Sequence, residues 1–397
     1  MKIDSLLKNP ISATLDCSDA ARRLWDVVVV GAGPTGSLAA RQLALAGAEV
    51  LLVDRMSFPR WKVCGCCLNG RAMSVLEQAG VLEDVRGAGA ISLTDFELRA
   101  GRQSLTLSLP AGLSLSRTQL DALLVRNAID AGAAFLPETE ARLGSLTDDY
   151  RDVVLTRIAE SVSIRGKVVL VCEGLNQRLL SRTDEFSNDV NERSFIGAGA
   201  ATQLKPGMLK EGTIFMAVGR AGYVGAVLVE DGFLNLAAAL NPRFLKQGQH
   251  LGMLVNRVLQ EAGFALPVDV ERLSWQGTAK LTRKTRPVAA GRVLVLGDAA
   301  GYVEPFTGEG MGWGLSCAMA CVPIVLTGLK HWNDSLMENW KQYHQRHIQG
   351  QQKWCRRCAY VLKRPFLVKS LIGFVKYCPW IASPVIDRLN APWPQQE

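Results

Sequence analysis

Val27-Val28-Val29-Val30 runs directly into Gly31-Ala32-Gly33-Pro34-Thr35-Gly36, and no other stretch restricts the fold so strongly. Four consecutive β-branched residues read as a strand buried on both faces, as in a parallel sheet. Ser37 to Ala46 is Ala/Leu-rich and reads as a helix stopped by Gly47. The G-x-G-x-x-G spacing between them has a physical cause. Gly31 allows a tight turn, Gly33 lets a pyrophosphate approach the backbone, and Gly36 lets helix and strand pack closely. Pro34 and Thr35 complete the turn, and the helix N-terminus offers free N–H groups and the positive end of its dipole to phosphate. Val50-Leu51-Leu52-Val53 reads as a second strand ending in Asp54, with Arg55 beside it. An acidic residue at that point can hold a ribose hydroxyl pair. The unit predicts a dinucleotide site built from Gly31, Gly33, Pro34, Thr35, Gly36, Asp54 and Arg55.

Composition narrows the setting. The chain has 397 residues, 48% of them hydrophobic and 21% charged, which fits a globular protein of two modest domains or one large one. Met1 to Arg23 has no apolar run of the signal-peptide kind, so the expected location is the cytoplasm. Ten cysteines are read as mostly free thiols rather than a secreted disulfide framework. Four histidines make His-based triads and His-rich metal sites poor expectations. The charge is uneven: residues 341–397 hold ten Lys/Arg and two acids, and the remaining residues balance at 35 of each. A local surface that meets something anionic follows, rather than a nucleic-acid binder.

The rest of the chain reads as follows. Residues 1–24 are expected to be a loosely ordered leader. A helix covers 70–79, and Ile91–Leu98 with Gln103–Leu109 suggest a hairpin around Ala100-Gly101. A helix runs to Ala131, with Thr118 as its N-cap and Asp121 three residues on. Arg142 to Leu155 reads as strand. Lys167 to Val171 returns the chain to the parallel sheet. Residues 181–275 read as strands punctuated by Gly, Asp and Asn, an antiparallel sheet inserted into the nucleotide domain. Val293–Leu296 is a further buried strand. Residues 310–329 are nearly all apolar, but Gly310, Gly312, Gly314 and Pro323 favour a helix buried behind a cofactor over a membrane span.

Gly297-Asp298-Ala299-Ala300-Gly301-Tyr302-Val303-Glu304-Pro305-Phe306-Thr307-Gly308-Glu309-Gly310-Met311 is a second signature. A strand delivers Asp298, whose carboxylate can accept from polyol hydroxyls, and a helix starts near Glu309. With GAGPTG (31–36), FPRWKVCGCCLN (58–69) and SRTQLDALL (116–124), it resembles the flavin-binding fold of p-hydroxybenzoate hydroxylase and its relatives. Within that group the chain is most similar to the geranylgeranyl reductase family of FAD-dependent oxidoreductases, through K-V-C-G (62–65) and G-E-G (308–310). The resemblance implies FAD, with Asp54 on the adenosine ribose, Arg117 near the cofactor, and Asp298 near its ribityl-pyrophosphate. Gly297, Gly308, Gly310 and Met311 join that set. A helix N-terminus aimed at the flavin would stabilise the negative charge that develops on reduction. Cys64-Gly65-Cys66-Cys67 and Glu173-Gly174 depart from the Cys-Gly-Gly and Asp-Gly of many relatives. The halogenase motif W-x-W-x-I-P does not occur in the sequence.

The expected architecture is α/β: a Rossmann-like FAD-binding domain (25–90, 110–180 and 276–330), an inserted antiparallel β-sheet substrate domain (91–109 and 181–275), and a basic helical C-terminal segment (331–397). The expected activity is reduction of a double bond in an apolar, isoprenoid or polyketide-like molecule, with NAD(P)H as the default electron donor. A monooxygenase acting on an aromatic or lipid-like substrate is the alternative, and a membrane-associated flavoprotein without turnover is a third reading. Cys64 could tune or protonate at the flavin face, or simply fit as a small residue. Lys62 could contact phosphate or an intermediate, or be a solvated loop lysine. Tyr223 could donate a proton, or be packing. Cys355-Arg-Arg-Cys358 could join Cys64 or Cys66 as a redox pair, but the second half of a zinc site is missing, so no metal is expected. Aromatics interleaved with Lys and Arg in 341–397 suit peripheral contact with the inner face of a membrane.

Overall fold

The structure is a computed structural model that describes residues 9–158, 160–245, 249–304, 308–378, 380 and 383–391. Its first layer is a sheet in the order Ala289–Ala290, Val293–Val295, Glu160–Val171, Leu24–Val30, Val50–Val53, Ala134–Leu136. The four central pairings are parallel, with Val27 opposite Val50 and Val168, and Val30 opposite Val53 and Val171. Val27 to Val29, Leu51 to Val53 and Val168 to Val171 are fully buried, as the unbroken apolar runs require. The strand expected over 142–155 is two strands, Thr139–Leu146 and Arg151–Arg157, which extend antiparallel from Glu160–Val171. Asp148 and Asp149 lie in the turn between them, closed by the Thr147 N–H donating to the Tyr150 carbonyl at 3.0 Å.

The helix after the glycine turn is Pro34–Leu45, starting three residues earlier than the sequence suggested. Proline at the first position donates no N–H and none is needed there. A Cβ on Gly36 would stand 1.9 Å from the Gly31 carbonyl oxygen, and one on Gly31 (φ 105°) would stand 2.5 Å from that of Cys172. Only glycine allows this approach. The helix Arg117–Asp130 is capped by Ser116, which accepts from Gln119 N–H at 3.2 Å, rather than by Thr118. That leaves Asp121, one helical turn beyond Arg117, free to meet its guanidinium.

The second layer is a seven-stranded sheet in the order Gln276–Lys280, Ile196–Gln203, Phe233–Leu240, Gly222–Val229, Thr213–Gly219, Asp95–Ala100, Gln103–Ser108. All pairs are antiparallel except Thr213–Gly219 with Asp95–Ala100, which run parallel. Residues 276–280, assigned from sequence to the FAD-binding domain, belong instead to this sheet's edge. Their exposed, polar Gln-Gly-Thr-Ala-Lys composition carried no signal of that pairing. Residues 181–275 also contain a helix, Leu251–Glu261, which buries Leu254, Val255, Val258 and Leu259 against the sheet.

One terminal expectation changes. The described part of the leader is packed, not loose: Cys17–Ala21 is a helix with Cys17 and Ala20 buried, and Thr14 exchanges hydrogen bonds with Phe135. The run of apolar residues at 310–329 forms one helix, Glu309–Lys330, packed on Pro34–Leu45 and Gly70–Gln78. It is long and apolar enough to cross a membrane by length and composition, but most of it is buried inside the protein. Its glycines explain its composition: a Cβ on Gly314 would meet Thr35 Oγ1 at 2.3 Å, and one on Gly312 would meet Asn69 Oδ1 at 2.9 Å. The C-terminal segment folds as helices Asp334–Tyr343, Gly350–Leu362, Pro365–Tyr377 and Ser383–Asn390.

Gly36→Ala is expected to destabilise the protein by about 3 kcal/mol, because backbone rather than a side chain must move. A urea-unfolding midpoint unchanged from the parent would refute the packing role.

Candidate active site

Both layers and the C-terminal helices enclose one cavity of about 820 Å³. Gly31, Gly33, Pro34, Thr35, Asp54, Arg55, Lys62, Cys64, Arg117, Tyr223, Asp298, Gly308, Gly310 and Met311 line it. Gly36 and Gly297 do not. Gly36 is spent on the helix–strand crossing, and Gly297 (φ 59°) allows close packing on Thr35, whose Oγ1 would lie 2.8 Å from an added Cβ. Pro305, Phe306 and Thr307 of the second signature lie outside the described residues.

At one end, Asp54 is committed to the turn. Its Oδ2 accepts from Ala32 N–H at 2.8 Å and its Oδ1 from Met56 N–H at 2.9 Å. Beneath Gly33 lies a buried ionic network. Arg117 makes a two-pronged pair with Asp121, Nε at 2.7 Å and Nη2 at 2.8 Å. Arg60 bridges Asp121 at 3.0 Å and Asp54 at 3.7 Å. A Cβ on Gly33 would meet only these guanidiniums, Arg117 Nη2 at 3.6 Å and Arg60 Nη2 at 3.9 Å. The sequence reading quoted Arg60 without giving it a role. The four-residue spacing of Arg117 and Asp121 on one helix was the available clue.

Farther along, Lys62, Cys64, Arg117 and Asp298 influence one another. Cys64 is lowered to about 5 by its hydrogen bond with the Cys66 side chain, against the cost of burial, and by the Arg117 charge. Cys66 N–H reaches Cys64 Sγ at 3.4 Å. Burial pushes Lys62 down to about 8, with Arg117 and Arg60 adding repulsion. Burial pushes Asp298 up to about 6 against Lys62 and Arg117, and Glu173, also burial-driven, up to about 7. The Cys66 hydrogen bond and the Arg117 charge both favour the thiolate form of Cys64. Tyr223 is on the wall, buried, and burial raises its phenol well above its usual value. Tyr302, which the sequence reading did not single out, lines the same cavity and is raised in the same way.

The other end is apolar. Leu98, Leu105, Leu107 and Met216 from the second sheet face Leu362, Val368, Leu371 and Val375 from the C-terminal helices. The C-terminal segment is thus a cavity wall. Lys363 reaches the buried Glu304 at 2.8 Å, Cys355 donates to Glu309, and Gln351 Oε1 accepts from both Trp313 and Arg71 at 2.7 Å. Cys358 lines the cavity while Cys355 is buried on Glu309, so the C-x-x-C is divided between two environments.

These residues fit a flavin dinucleotide. Two helix N-termini without side-chain caps, at Gly33 and at Gly308, open on the same cavity. One suits a pyrophosphate beside Arg117 and Arg60, and the other suits an electron-rich ring edge. Asp298 and Lys62 lie between them as polar partners for hydroxyls and phosphate.

The sequence model of the FAD binding domain matches residues 25–181. Among curated proteins, digeranylgeranylglycerophospholipid reductase 2 of Methanosphaera stadtmanae is 27% identical over 334 residues, 80% of this chain and 81% of that one. Menaquinone reductase of Mycobacterium tuberculosis is 28% identical over 305 residues, 73% of this chain and 74% of that one. Among solved structures, the flavin-dependent brominase Bmp2 superposes with a TM-score of 0.75 at 16% identity, covering 93% of this chain and 94% of that one. At that identity the likeness is one of fold. The cofactor is FAD.

Removing the Asp298 carboxylate (Asp298→Ala) is expected to weaken FAD binding by roughly tenfold, for a lost hydrogen-bond partner of about 1–3 kcal/mol. Flavin fluorescence on titration reads this, and unchanged affinity would remove Asp298 from the site. Because the Cys64 thiolate persists down to about pH 5, iodoacetamide should alkylate Cys64 at pH 6 well ahead of Cys67, which burial pushes up to about 12. Equal labelling of the two by peptide mass would contradict the assignment.

Proposed function

We propose that this geranylgeranyl reductase-like FAD flavoprotein reduces a carbon–carbon double bond in an apolar, isoprenoid-like or polyketide-like molecule. It is an FAD-dependent oxidoreductase. The observation that carries the reading is a single cavity with a charged cofactor end and an apolar end. An uncharged alkene needs no countercharge, only desolvation and position. The relatives are named as reductases of a digeranylgeranylglycerophospholipid and of menaquinone, which supports a reductase over a monooxygenase.

Reduced FAD supplies the hydride when bound. The chain's residues do the rest. Leu98, Leu105, Met216 and Val375 exclude water and hold the chain of the substrate along the wall. Addition across the double bond also needs one proton. Tyr223 and Tyr302 keep their phenolic protons under burial, and Tyr223 is close enough to affect the ionisation of Tyr302. One of them gives its proton to the second carbon and is reprotonated from solvent. Lys62 and Arg117 offset the negative charge that accumulates at the cofactor end on reduction. NAD(P)H is the proposed electron donor.

The C-terminal segment is proposed to rest on the inner face of an anionic membrane, with the protein in the cytoplasm. Helix Pro365–Tyr377 turns Val368, Ile372 and Val375 inward, and Phe366, Phe374 and Tyr377 outward beside exposed Lys369 and Lys376. Trp354, Tyr360 and Trp380 extend the exposed aromatic face. Each surface cation contributes about 1 kcal/mol of attraction to anionic lipid, and the rings seat at the headgroup level.

In anaerobic stopped-flow, the reduced enzyme should be reoxidised by a polyprenyl alkene faster than by dioxygen, and Tyr223→Phe with Tyr302→Phe should slow reoxidation at least about tenfold without slowing flavin reduction. Formation of a transient oxygen adduct in its place would favour the monooxygenase. The triple exchange Phe366→Ser, Phe374→Ser, Trp380→Ser alters only exposed positions, and should abolish flotation with anionic liposomes. Undiminished flotation would refute the membrane contact. Truncation at 340 is unsuitable, since it removes a cavity wall.

A further inference from the structure

The cavity holds a second redox-capable group besides the cofactor. Cys64 and Cys66 are separated by Gly65, and Cys66 adopts φ 58°, a left-handed conformation uncommon for a residue with a side chain. That turn folds the chain back on itself. Cys66 Sγ lies 3.7 Å from the Cys64 carbonyl oxygen, Cys66 N–H points at Cys64 Sγ, and the two side chains are hydrogen-bonded. The loop is held in this shape from outside. Asn235 on the second sheet donates to the Cys64 carbonyl at 2.9 Å, and Cys66 is buried among Leu93, Val227, Val229 and Phe233. The Arg117 guanidinium also interacts with the Cys64 sulfur, by charge and by a hydrogen bond. Cys67 is turned elsewhere, its thiol donating to the Gly65 carbonyl at 3.2 Å.

We propose that Cys64 and Cys66 are a dithiol–disulfide pair at the flavin cavity, oxidised by hydroperoxide and reset by an external dithiol. The Cys64 thiolate attacks one peroxide oxygen, the O–O bond breaks, hydroxide leaves, and Cys64 becomes a sulfenic acid. The Cys66 sulfur then bonds to the Cys64 sulfur, its thiol proton and the sulfenic hydroxyl leaving together as water. The two sulfurs are oxidised and the peroxide is reduced. A dithiol reverses the bond by exchange and is itself left as a disulfide. The oxidant is at hand if the cavity holds reduced flavin, whose reaction with dioxygen yields hydrogen peroxide, so the setting rests on the flavin reading. Closure removes the anion beside Arg117, which changes the charge at the cofactor end.

The test uses the FAD-loaded full chain, exposed to a small excess of hydrogen peroxide, alkylated with iodoacetamide and cut with trypsin. The tryptic peptide Val63–Arg71 carries Cys64, Cys66 and Cys67. In the parent and in Cys67→Ala, this peptide should become lighter by two hydrogens and lose two alkylation sites, both restored by dithiothreitol. In Cys66→Ala no internal bridge should form, and Cys64 should proceed to the sulfinic acid, which dithiothreitol does not reverse. Full alkylation of all three cysteines after peroxide would overturn the proposal. So would a bridge that survives Cys66→Ala, or one that joins Cys64 to Cys358. The readout is peptide mass and needs no turnover, so it fails or succeeds independently of the proposed substrate. The flavin spectrum of each variant reports that its fold is intact.

Discussion

The buried ionic network under the glycine turn is the constraint on which the site depends. Arg117, Asp121, Arg60 and Asp54 place four formal charges in a region almost closed to water. Burying such charges costs several kcal/mol per ion unless geometry and further hydrogen bonds offset it. Here the two acids are close to saturated. Asp121 accepts from Arg117 and pairs with Arg60 at 3.0 Å, and Asp54 accepts from two backbone amides with the Arg60 charge 3.7 Å away. The arginines keep donor capacity directed at Gly33, the one glycine of the turn whose missing Cβ leaves space for a ligand instead of relieving a backbone clash. A well-packed apolar cluster would be as stable or more so. It could not receive a pyrophosphate.

The same logic extends to the closing wall. Polar links between otherwise apolar faces tie the C-terminal helices, among them Lys363 to Glu304, Cys355 to Glu309, and Gln351 to Trp313 and Arg71. Glu304 and Glu309 both belong to the second signature, so the segment that leads into the helix N-terminus is the one the wall grips. Substrate space and cofactor space therefore share their supports. A displacement of the wall would be felt at Gly308 to Met311, and filling of the cofactor end would stiffen the wall.

The parts legible in the sequence are those whose residue choice is dictated by local backbone geometry. The four-valine strand, the glycine turn, Asp54, and the strand before Asp298 each follow from burial or from φ. Less legible were features decided by partners far along the chain. Gln276–Lys280 is polar and exposed, and only its register with Ile196–Gln203 makes it a sheet edge. Helix Leu251–Glu261 sits in a strand-rich region, yet its one buried stripe matches the sheet it covers. The basic C-terminal segment drew attention through its charge and its rings; its exposed positions carry Lys369, Lys376, Phe366 and Phe374, and the apolar positions between them close the cavity. Arg60 and Tyr302 were in view within quoted motifs. Their roles depend on Asp121 and on the cavity, neither of which spacing reveals.

The titratable groups at the cofactor end show how the site adjusts to its own chemistry. With Cys64 ionised and both arginines charged, the fixed charges nearly cancel, and the groups left free to change near neutrality are Lys62 at about 8, Glu173 at about 7 and Asp298 at about 6. Each is moved there mainly by burial. A diphosphate and a reduced flavin both add negative charge, and any added anion favours the protonated form of all three. Lys62 then holds its proton more firmly, and Asp298 and Glu173 ionise less readily. Charge arriving with the cofactor therefore favours proton uptake on these three residues.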